Sequence, residues 1–181
     1  MVASAVFSLT VMGFVYCQMF GMRQDQLVNS KIGASEQARQ SFNELANDIR
    51  AAKIWQIGNG DLNSFTGISL GTNQRGNALK LSMTTDSNQY YLYYFNTTNL
   101  LRGHSGSKSA KCLAQYLTNT MYFQAQNFGG TNQSTLTHKG VIDVVMQFCQ
   151  FQYPLTRIGP GNFYDSYKME LRVTPHAPDG L

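Results

Sequence analysis

Three histidines, three cysteines and ten carboxylates are the side chains of this 181-residue chain best able to do chemistry, and their spacing assembles no reaction centre. His104, His138 and His176 lie far apart, and no His-x-x-His or Cys-x-x-Cys step occurs. The ligand spacing of a zinc site is therefore missing. No nucleophile elbow, phosphate-binding loop or dinucleotide fingerprint is present. The glycine-rich stretch Arg102-Gly103-His104-Ser105-Gly106-Ser107 has no helical pattern behind it and reads as a surface loop. Glu36 and Glu44 stand eight residues apart in a helical segment and read as solvated rather than paired for acid–base work. The chain reads as a non-enzyme with no cofactor.

Other chemistry-bearing groups have turn or packing roles. Asn59-Gly60-Asp61-Leu62-Asn63 and Thr84-Thr85-Asp86-Ser87-Asn88 are oxygen-rich. Calcium takes oxygen ligands from such loops, but each holds a single carboxylate, which favours turn chemistry. Asn96-Thr97-Thr98 and Asn132-Gln133-Ser134 match the N-glycosylation pattern. Cys17 lies in an apolar run and reads as a small hydrophobe. Cys112 and Cys149 lie in the later β-rich region. They read either as two buried thiols or as a disulfide, whose loop closure would stabilise by roughly 4 kcal/mol.

The elements that position these groups are set by composition and periodicity. Charged residues are only 13% of the chain and aromatics 12%, with ten Tyr and eleven Phe. Disordered chains show the opposite balance. The aromatic excess fits a packed sheet face, or a surface for subunit contact or adhesion to apolar or carbohydrate material. The net charge of +4 is scattered, without the clustered basic face of a nucleic-acid binder.

Residues 1–22 (MVASAVFSLTVMGFVYCQMFGM) carry no charge, and only Ser4, Ser8, Thr10 and Gln18 are clearly polar. As a helix this segment rises about 33 Å, enough to cross a bilayer core. A secretory signal would need a basic start and a small-x-small cleavage site, which the segment lacks. Beyond Arg23 helical spacing continues, free of proline, to about Lys53. Ala38, Phe42, Leu45, Ile49 and Ala52 recur at steps of four and three, one apolar stripe on a polar helix that predicts packing against a sheet. Gln37, Arg39, Gln40, Asn43, Asn47, Asp48 and Arg50 form the other face, and Gly58-Asn59-Gly60 ends the helix. The expected helix thus covers about 1–54, divided into an apolar half over 1–22 and an amphipathic segment over 23–57. Arg23 on the C-terminal side of the span would place the head in the cytoplasm by the positive-inside rule, and a basic leader ahead of Met1 would reverse that.

The remainder, 58–181, reads as a β-rich globular head, and from Ser64 onward the period changes to two. Leu79, Leu81 and Met83 alternate with polar residues, Gln89–Phe95 is an aromatic run after the turn signal Asp86-Ser87-Asn88, and Leu113–Leu117 and Met121–Ala125 are short candidates. Val141–Tyr153 is the longest strand candidate, and Met169, Leu171 and Val173 alternate in the last. Loops over 71–77, 103–109, 127–134 and 158–163 separate them. One helix over an antiparallel sheet gives an α+β class.

Met1-Val2-Ala3-Ser4-Ala5-Val6-Phe7-Ser8-Leu9 running into a long helix, followed by Ala38–Ala52 with its Asp48-Ile49-Arg50-Ala51-Ala52 ending, resembles the type IV pilin and type II secretion pseudopilin superfamily. The likeness covers about the first 57 residues and is architectural beyond them. It implies a structural subunit that waits in the inner membrane and then packs with copies of itself into an extracellular filament, with the help of an assembly machinery; no nucleic-acid partner is expected from the scattered charge. A membrane-anchored minor pilin or pseudopilin that primes a pilus or secretion machine, or acts in adhesion, is the alternative. The resemblance also implies a cleaved basic leader, N-methylation and an N-terminal glutamate, none of which maps to a residue of this sequence. The implied helix–helix assembly residues are Val2, Val6, Phe7, Leu9, Val11, Met12, Phe14, Val15, Met19 and Phe20. Ala3, Ser4, Ala5, Ser8 and Gly13 are small enough for close helix approach.

Overall fold

A computed structural model describes residues 2–107, 109–118, 123–134, 140–151 and 164–175. The expected loop over 158–163, His138, His176 and the outer ends of two strand candidates (121–122 and 152–153) lie outside the described residues. The chain resolves into two units, one of residues 1–36 with 150–165 and one of 37–149 with 166–181.

A proline-free run builds the helix α1 over Val2–Ala51. Arg50 stands in its last turn, where a cation complements the helix dipole. The helix ends three residues earlier than the spacing predicts. The Lys53 N–H bonds to the Ser82 carbonyl at 2.9 Å, and the chain enters β1 (Ile54–Asn59) directly. Residues 54–57 are therefore strand, not amphipathic helix. Trp55 and Ile57 are buried while Ile54 and Gln56 are half-buried, which is the alternation of a strand. Pairing with β4 overrides the weak helical spacing that Ala52 continues.

The described residues form ten strands, which lie in the second unit, the head, except for the end of the ninth and the start of the tenth. They are β1, β2 (Thr66–Gly67), β3 (Arg75–Gly76), β4 (Ala78–Ser82), β5 (Tyr91–Asn96), β6 (Asn99–His104), β7 (Ala110–Ala114), β8 (Phe123–Gln126), β9 (Val141–Phe151) and β10 (Tyr164–Val173). Six form a sheet in the order β2-β1-β4-β5-β6-β7, and four form a second in the order β10-β9-β8-β3. The paired strands of the first sheet are all antiparallel, and the α+β class holds. The sequence reading misses β1, β2, β3 and β6. β3 falls inside the loop expected over 71–77, and β6 extends to His104 at the start of the loop expected over 103–109.

The register puts Trp55 opposite Leu81, Ile57 opposite Leu79, and Leu79 opposite Tyr93 on one face. That face meets the buried stripe of α1 from Ala38 to Ile49, Ala52 just beyond the helix, and the buried side chains of the second sheet, among them Phe123, Ile142, Val144 and Met146, in one core. The opposite face holds a smaller cluster of Ala78, Leu92 and Tyr94, capped by Leu62 and Phe65 from the loop after β1. Gly58 permits this cap, because a Cβ there would stand 2.5 Å from the Phe65 ring and from the Thr66 carbonyl oxygen.

Candidate assembly surface and head clamp

The helix presents two different chemistries, set by its sequence. Over Ala3–Asp25 it is 23 residues of mean hydropathy 1.5, long and apolar enough to cross a membrane, and none of its most apolar window is buried within the chain. Phe7, Leu9, Phe14 and Phe20 are 62–71% exposed, and Val6, Val11, Met12, Val15 and Met19 are exposed with them. At 3.6 residues per turn these positions cover every side of the helix. Burying each such side chain stabilises by about 1.5–3 kcal/mol, so the segment requires lipid or protein around it. The hydroxyls do not oppose this. Ser8 Oγ donates to the Ser4 carbonyl at 2.9 Å and Thr10 Oγ1 to the Phe7 carbonyl at 2.7 Å, so both are satisfied within the helix.

The expected assembly residues Val6 to Phe20 and the small residues Ala3, Ser4, Ala5, Ser8 and Gly13 all stand on this exposed segment. A Cβ on Gly13 would meet nothing within 4 Å. The side chain of Val2 lies outside the described residues. Tyr16, Met22 and Val28 are equally exposed and escaped the sequence reading. Their signal was present, since Tyr16 and Met22 belong to the same uncharged run.

Further along, the stripe is buried: Ala38, Phe42, Leu45, Ile49 and Ala52 all belong to the core. Ala46 and Ser41 are buried beside them, and Ser41 Oγ donates to the Leu113 carbonyl on β7. Next to this apolar contact runs an ionic clamp that the sequence reading did not assemble. Asp48 Oδ2 accepts hydrogen bonds from Tyr93 Oη on β5 and from Arg102 Nη2 on β6, each at 2.6 Å. Arg102 Nη1 lies 3.2 Å from Glu44 Oε1, and Lys111 Nζ on β7 lies 2.8 Å from Glu44 Oε2. The Arg102 guanidinium also sits 4.0 Å above the Tyr91 ring, a cation–π contact. Two carboxylates meet two cations, so the cluster is neutral.

Glu44 is thus paired across the helix–sheet contact rather than solvated. Its i,i+4 spacing from Asp48 was the available signal. Like charges at that spacing repel, and the repulsion calls for cations from another element. Burial, then the hydrogen bond to Asp48, pushes the Tyr93 phenol well above its ordinary pKa, so it remains a neutral donor.

The remaining candidates do not converge. Cys17, Cys112 and Cys149 are free thiols, with Cys112 on β7 of the first sheet and Cys149 on β9 of the second, so the 112–149 disulfide is not formed. His104 packs edge-on against Tyr91. Asp61 Oδ1 accepts the Asn63 and Ser64 N–H groups, and Asp86 Oδ1 accepts that of Asn88, each at 2.9 Å. Both loops are side-chain-capped turns. Among the described residues no group of three or more His, Cys, Asp or Glu is placed to hold a metal ion. Comparison with protein-family models, curated proteins and solved structures returned no match.

Proposed function

We propose that this chain is a structural subunit of an extracellular filament of the type IV pilin kind. One observation carries the reading: residues 3–22 of α1 are apolar and exposed on every side, while residues 38–52 are anchored in the head by a buried stripe and an ionic clamp. A lone anchor needs only the first part. A helix held at its far end by a folded head can instead be moved from one apolar environment to another without losing the head.

The mechanism is physical. The helix waits in the inner membrane with Val6, Phe7, Leu9, Val11, Met12, Phe14, Val15, Met19 and Phe20 in lipid. An assembly machinery extracts it, and the same side chains then pack on the helices of neighbouring copies. Ala3, Ser4, Ala5, Ser8 and Gly13 allow close approach, and dispersion between packed helices replaces lipid contact. Residues 1–22 carry no charge, so register comes from shape or from residues ahead of Met1.

Leu9→Asp tests the proposal. A carboxylate at a helix centre costs about 2.5–3.5 kcal/mol against an apolar surrounding. Filaments should be lost while the head stays folded, and undiminished filaments would refute the reading. A second reading, a membrane-anchored minor pilin or pseudopilin that does not form the bulk filament, is favoured by the 23-residue apolar segment being a sufficient span by itself. Electron microscopy of native cells separates the two, since only the first places this chain as the repeating unit.

A further inference from the structure

We infer that the head carries a binding site for a neutral sugar, in the cavity between the loop after β1 and the β5–β6 hairpin. This inference is independent of filament assembly and assigns the head a recognition role. The cavity has a volume of about 430 Å³, within the range of small-molecule sites. Its wall comes from Asp61, Asn63, Asn77 and Asn96, with Leu62 and Tyr94 beside them, while the Phe95 ring turns to the other face of the sheet and stacks on Phe123.

The loop is held open by hydrogen bonds that use only part of each polar side chain. The Gly60 N–H donates to Asn77 Oδ1 at 2.9 Å, and the Asn77 N–H donates to Asn59 Oδ1 at 3.1 Å. These reciprocal bonds fix the end of β1 against the start of β4. Asp61 Oδ1 takes the Asn63 N–H, the Ser64 N–H and the Ser64 hydroxyl, while its Oδ2 takes no partner among the described residues. Asn96 Oδ1 accepts the Thr97 hydroxyl at 3.1 Å, so its amide N–H groups are left. The Asn63 amide has no partner among the described residues. Burial, followed by the negative charge of Asp61, raises the Tyr94 phenol above its ordinary pKa and keeps it a neutral O–H group.

These groups select a ligand class. No cationic side chain lines the cavity, so phosphate, sulfate and carboxylate ligands find no counter-charge. The polar wall disfavours a purely apolar guest. A divalent cation would seek several carboxylates, and there is one. One free carboxylate oxygen beside free amide groups offers adjacent acceptors and donors, which matches neighbouring hydroxyls on a ring, since each hydroxyl both donates and accepts. A pyranoside in neutral form meets all of these conditions.

The test is nuclear magnetic resonance of the full chain, labelled on its side-chain amides, in zwitterionic micelles whose headgroups contain no sugar. The probes are the methyl glycosides of glucose, galactose and mannose, with calcium chloride as a separate titration. The expected result is a saturable shift of the Asn63, Asn77 and Asn96 amides with at least one glycoside. Asp61→Asn keeps the acceptor on which the turn depends and removes the charge, so affinity should fall about tenfold or more. Asn63→Ala removes a side chain the fold does not use and should weaken binding about three- to tenfold. The inference is overturned by any of three results: no saturable shift at about 0.1 M glycoside, a hundredfold above a millimolar site; equal affinity in the wild type and Asn63→Ala; or shifts produced by calcium and by no glycoside.

Discussion

Removing the Arg102 side chain should loosen the helix from the head, and the size of the effect follows from the geometry. Arg102→Ala deletes the 2.6 Å contact to Asp48, the 3.2 Å contact to Glu44 and the guanidinium over Tyr91. Lys111 still neutralises Glu44 at 2.8 Å, so the residue left exposed to the loss is Asp48. The side chains of Arg102 and Asp48 are 22% and 18% exposed. Breaking a fully buried pair by removing one partner costs about 3–5 kcal/mol, whereas exposed pairs are worth about 0–1. This pair lies between, so we expect a loss of about 2–3 kcal/mol. For a chain of this length that is a drop in melting temperature of about 4–12 °C. Trp55, the single tryptophan, is buried in the core beside α1, so its fluorescence during urea unfolding in micelles reports on the head. Two controls bracket the result. Lys111→Ala, whose side chain is 63% exposed, should cost about 0.5 kcal/mol or less. Adding Asp48→Asn to Arg102→Ala should recover about half of the loss or more, because an amide needs no cation and can still accept the Tyr93 hydrogen bond. If Arg102→Ala and Lys111→Ala have equal effects below about 0.5 kcal/mol, the clamp does not hold the helix.

Two further outcomes are expected. The Tyr93 phenol has a raised folded-state pKa, so its contribution is complete below the unfolded-state value of about 10 and is lost as pH rises beyond it; Tyr93→Phe should flatten the alkaline fall in stability seen by urea titration between about pH 9 and 11, and an unchanged slope would contradict the assignment. Gly58→Ala sets a Cβ 2.5 Å from the Thr66 carbonyl oxygen, which is backbone and cannot rotate away; hydrogen exchange at residues 61–66 should accelerate, with a loss of about 1–3 kcal/mol, and full protection would refute the close-approach argument.

Much of this was legible in the sequence because burial follows period. The Ala38-to-Ala52 stripe could be read since steps of four and three mark one helix face, and all five residues lie in the core. The apolar run over 1–22 was legible from composition alone. β1 was not, because Ala52, Ile54, Trp55 and Ile57 continue an apolar sequence without a breaker, and only pairing with β4 selects the strand. β6 was hidden for a related reason. Arg102 stands where an inward-facing hydrophobe would mark a strand, and it is there to meet Asp48, 54 residues away in sequence. The loop Asn59-Gly60-Asp61-Leu62-Asn63 reads as turn chemistry from its residues, and Asp61 does cap a turn there. Its role as a wall appears only once Asn77 and Asn96 are brought to it from two other segments.

The central claim is that residues 3–22 exchange lipid for neighbouring copies of themselves. Electron cryomicroscopy of surface filaments from cells producing this chain tests it most directly. The account predicts a helical array in which this chain is the repeating unit and Phe7, Leu9, Phe14 and Phe20 contact helices of adjacent copies. A filament with these side chains facing solvent, or cells in which the chain remains a dispersed membrane monomer while filaments form without it, would contradict it.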